Sequence, residues 1–124
     1  MTKELSKFSR QVLVSTGFGA GWSSWCAHRE AAQYAAEYQP IIDFITKNGN
    51  PFQEEHVNEV LIEKFNLLVE ECKKEIKSKF NVDFYTGGAE QLCVKTVNEL
   101  YRVYELDGYE SIETLESAEE MWFY

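Results

Sequence analysis

The chain has 124 residues, one domain's length, and its 44% hydrophobic and 15% aromatic content is too apolar for a disordered chain. Twenty-one acidic against 12 basic residues leave a net charge of −9, the wrong sign for a reader of nucleic-acid phosphates. No apolar run approaches the roughly 20 residues that span a bilayer, and the polar start MTKELSKFSR lacks a signal-peptide core, so a cytoplasmic, non-membrane protein is expected.

Residues 1–9 are polar and expected to be loose. The β-branched run QVLVST at 11–16 predicts a strand. GFGAGW at 17–22 follows, where three alternate glycines predict a loop. Ser23 and Ser24 are candidate N-caps for an Ala-rich helix over 25–38, with Ala27, Ala31, Tyr34, Ala35 and Tyr38 on one stripe. Pro40 must break it and stands near the start of a further helical stretch, 41–47. After the turn cluster 48–51 comes the strongest helical pattern, 54–79. Its apolar residues are Val57, Leu61, Phe65, Leu68, Cys72 and Ile76, with acids early and lysines late to complement the helix dipole.

Beyond Asn81 the period becomes alternating. Strands are predicted over 82–85, 91–97, 100–106 and 109–115, with turns at Gly87-Gly88 and Asp107-Gly108. The fold class expected is α+β: an N-terminal strand and Gly-rich loop, two to three helices, then an antiparallel β-meander, all in one ligand-binding domain over 1–124. Met121, Trp122, Phe123 and Tyr124 close the chain, an apolar cluster that should dock on the core or on a second subunit.

Few residues carry chemistry. Cys26, Cys72 and Cys93 are odd in number and widely spaced, and with only His28 and His56 they supply too few soft ligands for structural zinc. No ordering of nucleophile, base and acid is present, so neither catalytic residues nor a cofactor are expected. The strand, glycine loop and helix resemble a phosphate cradle, in which backbone N–H groups and the helix start face an anion. The loop lacks the Gly-Lys-Ser/Thr of a P-loop, and Trp22 stands where a dinucleotide fingerprint needs its third glycine. The alternative is a tight structural loop that packs Trp22 and Trp25. Phe18, Trp22 and Trp25 are equally open to base stacking or to core packing.

Arginine is scarce. Arg29, near a helix N-terminus, is unfavourable there unless an anion compensates: a phosphate, or Glu30 or Glu37. Arg102 is predicted mid-strand. A two-residue Asp107-Gly108 turn places Leu106 opposite Tyr109 and Arg102 opposite Glu113, so a cross-strand ion pair competes with a ligand role.

Three segments carry a resemblance: VLVSTGFGAGWSSW at 12–25, YTGGAEQL at 85–92 and RVYELDGYESIE at 102–113. Together they resemble the first-described family of anti-Thoeris proteins, small phage-encoded signal sponges. The resemblance implies helices on an antiparallel sheet, assembled as a homodimer or larger homo-oligomer. It implies sequestration, without cleavage, of a cyclic ADP-ribose isomer, a cyclic nucleotide-derived signal made by TIR-domain proteins in the host cytoplasm. It implies binding by aromatic stacking and arginine contacts. Carried onto this chain, the site is Phe18, Gly19, Gly21 and Trp22 in the loop, Arg29 and Arg102 for the diphosphate, and Phe84 and Asn98. The net charge motivates a different reading, an acidic inhibitor that blocks a bacterial defence nuclease by mimicking nucleic acid. A third reading is an assembly protein that docks through its C-terminal tail.

Overall fold

A computed structural model describes residues 9–19, 21–98 and 100–114. The start of the chain and the apolar cluster at 121–124 lie outside the described residues. The architecture is α+β, as the sequence predicts. Strand β1 (Ser9–Ser15) pairs antiparallel with β2 (Leu92–Asn98), in a register that runs from Ser9 opposite Asn98 to Ser15 opposite Leu92. Strands β3 (Tyr101–Leu106) and β4 (Tyr109–Thr114) form a second antiparallel pair. The three C-terminal strands thus follow in the expected order, and their pairing divides between two sheets of two strands. Asp107 and Gly108, at φ 55° and 86°, make the tight hairpin turn, and Leu106 faces Tyr109 as the two-residue turn requires.

β1 explains its own unbroken apolar run. Leu13 points into the main core, with Ala35, Ile41, Phe65, Cys72, Ile76 and other helix residues. Its neighbours Val12 and Val14 point the other way, into a smaller core with Ala36 and Tyr101, against which Val103 and Ile112 of the hairpin pack. A strand buried on both faces needs apolar residues at every position, not alternate ones.

Two of the three helices start later than predicted, and the middle one starts two residues earlier. The expected helix over 25–38 divides into a 3-10 turn (Ser23–Trp25) and α1 (Arg29–Ala36). Cys26 between them is extended, and the capping role passes from the two serines to His28, whose Nδ1 accepts the Ala31 N–H at 3.1 Å. Ala31 and Ala35 are buried as the stripe requires. Helix α2 (Gln39–Asn48) carries Pro40 in its first turn and ends at Gly49 (φ 78°). Helix α3 (Glu59–Phe80) starts five residues later than expected. Asn58 accepts the Leu61 N–H at 3.2 Å, and Val57 is left exposed. Phe65, Val69, Cys72 and Ile76 form the buried stripe.

Residues 82–85 form no strand. Asn81 ends α3 in the left-handed region (φ 58°), and β2 pairs with β1, so this alternating stretch has no partner strand among the described residues. It packs irregularly, with Phe84 buried in the core.

Candidate functional site

The glycine loop does enclose an anion, and the anion is the chain's own. Glu110, the second residue of β4, is 3% exposed. Its Oε1 accepts the Ser15 N–H at 2.6 Å, and its Oε2 accepts the N–H groups of Trp22 and Ser24 at 2.8 and 2.9 Å. The end of β1, the loop and the 3-10 turn therefore converge on one buried carboxylate. Three N–H donors satisfy it, which is what an acid out of water requires. Gly21 is needed for this approach: a Cβ there would lie 2.7 Å from the Trp25 ring and 3.0 Å from Glu110 Oε2. The N–H of Gly19 donates to the Gly108 carbonyl at 2.9 Å, which ties the loop to the hairpin turn. The two glycines shape this cradle and link it to the hairpin.

Both predicted arginines line a single cavity beside this cradle. It has a volume of about 290 Å³ and lies between the 3-10 turn, α1 and β3. Its polar walls are Ser23, Ser24, Arg29, Gln33 and Arg102, with the Cys26 thiol at the edge. Arg29 and Gln33 reach it together because residues four apart share a helix face. The Ser23 and Ser24 hydroxyls are buried with no hydrogen-bond partner among the described residues. One edge of the Arg102 guanidinium is held by Glu113, with Nη2 donating to Oε2 at 3.2 Å, the cross-strand pair that the hairpin register predicts. Burial pushes the Cys26 thiol up and outweighs the opposing hydrogen bond to the His28 backbone. Tyr101, also in the wall, is pushed up by desolvation and then by Glu37, which accepts its hydroxyl at 2.5 Å. Thiol and phenol stay neutral at pH 7, so the charged side chains in the cavity wall are the two arginines, one of them paired with Glu113.

The remaining predicted residues are elsewhere. Trp22 and Phe84 are core: the two rings pack edge to face at 4.8 Å, and the Trp22 indole donates to the Ala35 carbonyl at 2.9 Å. Neither ring offers a face to a base in this structure. Phe18 is 69% exposed and packs edge-on against Tyr109 at 5.3 Å, on the hairpin side of the loop. Trp25 stacks on Tyr85 (5.5 Å, 16°) at the surface, with its indole donating to Glu105 at 2.9 Å. Of Asn98 only the backbone is described, at the end of β2. Of the two carboxylates expected as alternatives to a phosphate beside Arg29, Glu37 binds Arg10 at 2.7 Å and accepts the Tyr101 hydroxyl.

Sequence reasoning missed Glu110, although a signal for it exists. Glu110 and Ile112 fall on the same face of β4, and Ile112 packs in the smaller core. A carboxylate on the apolar face of a strand needs donors, and a glycine-rich loop is where they are found. Ser23, Ser24 and Gln33 were missed as cavity residues because nothing local distinguishes a serine that caps from one that lines a pocket. Comparison of the chain with protein-family models, with curated proteins and with solved structures yields no match.

Proposed function

We propose that this protein binds and sequesters a cyclic nucleotide-derived signal, a cyclic ADP-ribose isomer, without cleaving it, as a phage immune-evasion protein acting in the host cytoplasm. One observation carries this reading: Arg29 and Arg102, 73 positions apart in a chain of net charge −9, line the same cavity with two buried serine hydroxyls. A diphosphate needs this combination of guanidinium forks and short hydroxyl donors. A volume of about 290 Å³ is at the lower edge of small-molecule sites, roughly 300–1,000 Å³. It accommodates the diphosphate end of such a ligand. The adenine and ribose then extend past the rim, where a second copy of the chain in a homodimer closes over them. With Trp22 and Phe84 in the core and Trp25 already stacked on Tyr85, the exposed Phe18 ring is the loop aromatic assigned to stack from across that interface.

A sponge works by slow release and needs no chemistry on the ligand. The test is thermal denaturation with and without a cyclic ADP-ribose isomer, followed by mass spectrometry of the ligand freed by heat. A ligand at a hundred times its Kd stabilises the fold by about 2.7 kcal/mol, a shift of many degrees for a chain this size. The ligand should be recovered intact. A hydrolysed product would make the protein an enzyme, and the absence of any thermal shift would remove the binding proposal.

A further inference from the structure

A second hollow, of about 560 Å³, lies between α1, the start of α2 and the end of α3, and its character is opposite to that of the arginine cavity. Its walls are the rings of Tyr34, Tyr38 and Phe80 and the carboxylates of Glu30, Glu37 and Glu75. The rings form a continuous surface, with Tyr34 5.8 Å from Tyr38 and 5.9 Å from Phe80. Glu75 is half-buried against them and accepts hydrogen bonds from the hydroxyls of both tyrosines. Those donors orient the carboxylate without neutralising it. Burial and the Glu75 charge push both phenols up, Tyr34 to about 12, so they remain protonated.

Glu37 has a cation in Arg10. Glu75 and Glu30 have none in an ion pair among the described residues. A half-buried carboxylate walled by aromatic faces favours a cation that can lose part of its hydration, because the ring quadrupoles attract positive charge. The structure already seats one such group: the Lys79 ammonium lies 5.7 Å from the Tyr34 ring centroid. Lys79 is also four residues beyond Glu75, the spacing at which a helical lysine can reach a glutamate.

We propose that this hollow binds an aliphatic di- or polyamine, with one ammonium between Glu75 and the tyrosine rings and another on Glu30, and that Lys79 is its built-in competitor. Two separated carboxylates suit a ligand with two ammonium groups on a flexible apolar chain. A hard divalent ion would gain nothing from the rings.

The proposal is tested by titration calorimetry of spermidine into the full chain at low salt, with far-UV circular dichroism as a fold control. One spermidine should bind per chain. Glu75→Gln should weaken it at least tenfold, and Lys79→Ala should tighten it several-fold by removing the competitor. Magnesium at equal ionic strength should not displace it. Unchanged affinity in Glu75→Gln, equal displacement by magnesium, or unchanged or weaker binding in Lys79→Ala would each overturn the proposal in favour of diffuse attraction to an acidic chain. Should Glu75→Gln fail to fold, the exposed Lys79 variant decides alone. A lysine peptide that binds more tightly than spermidine would move the ligand to a protein side chain and overturn the assignment to a free amine.

Discussion

Replacing Glu110 tests the arrangement at the centre of the fold. In Glu110→Ala three backbone donors, buried on Ser15 and Trp22 and partly buried on Ser24, lose a charged acceptor at 2.6 to 2.9 Å. Hydrogen bonds to charged groups contribute about 1.5–3 kcal/mol each, and water entering the space left by the side chain recovers part of that. The net cost expected is about 4 kcal/mol, a large share of the roughly 5–15 kcal/mol that holds a domain folded. Glu110→Gln is the finer probe. Its amide oxygen can replace Oε2 and keep the Trp22 and Ser24 donors, which turns its NH2 toward the Ser15 N–H, donor against donor. About 2–3 kcal/mol should be lost, nearly all of it on the strand side. Urea unfolding followed by tryptophan fluorescence, to which the buried Trp22 contributes, measures both variants, and the slope against urea should not change. A loss under about 1 kcal/mol in Glu110→Ala would refute the view that this carboxylate organises the loop.

Arg29→Ala and Arg102→Ala should each weaken binding of a cyclic ADP-ribose isomer at least tenfold by calorimetry. The Arg102–Glu113 pair is partly exposed, so its loss should lower stability by only about 0–1 kcal/mol. Arg102→Lys should also bind poorly, since lysine cannot offer two parallel donors; unchanged affinity in both alanine variants would make the arginines purely structural. Stability should fall at alkaline pH. Burial, then Glu75, raises the Cys72 thiol from 9.0 to about 12, and Tyr34, Tyr38 and Tyr101 rise as well. The folded state thus holds these protons more tightly than the unfolded one, so the stabilisation is complete below about pH 9 and is lost as the pH rises toward 12. At pH 10.5 Cys72 alone accounts for about 2 kcal/mol, and an unchanged urea midpoint between pH 8 and 10.5 would contradict the assignment.

Much of the local structure was legible because it rests on short-range chemistry. The Asp107-Gly108 turn requires two residues that tolerate positive φ, and from it the facing of Arg102 and Glu113 follows by counting. Phe65, Cys72 and Ile76 of the predicted stripe are buried as helical spacing requires, while Val69 is the buried neighbour in place of the partly buried Leu68. What was not legible depends on contacts between distant segments. Residues 82–85 have the alternation of a strand, and only the commitment of β2 to β1 leaves them without a ladder. Trp22 lies beside three glycines, as a base-stacking ring would, yet its indole is used by Ala35. Glu110 belongs with the solvated acids of an acidic chain until the loop that needs it, about 90 residues earlier, is brought alongside. The arginine cavity was half legible: both guanidiniums were singled out, while the serines that share it were assigned to a cap that His28 provides instead.

The long reach of Glu110 also constrains the order in which the chain can fold. Its three hydrogen bonds close separations of 95, 88 and 86 residues, and β1 pairs with a strand that begins at Leu92. Helices α1 to α3 can form from local contacts while the chain is being made, but Val12, Leu13 and Val14 have no partner strand until β2 has emerged from the ribosome. Closing such loops is slow, because their entropy must be lost before any contact rewards it. An apolar strand left waiting until a partner that begins at Leu92 has been made is therefore a segment exposed to a chaperone, or to the same strand of a neighbouring nascent chain.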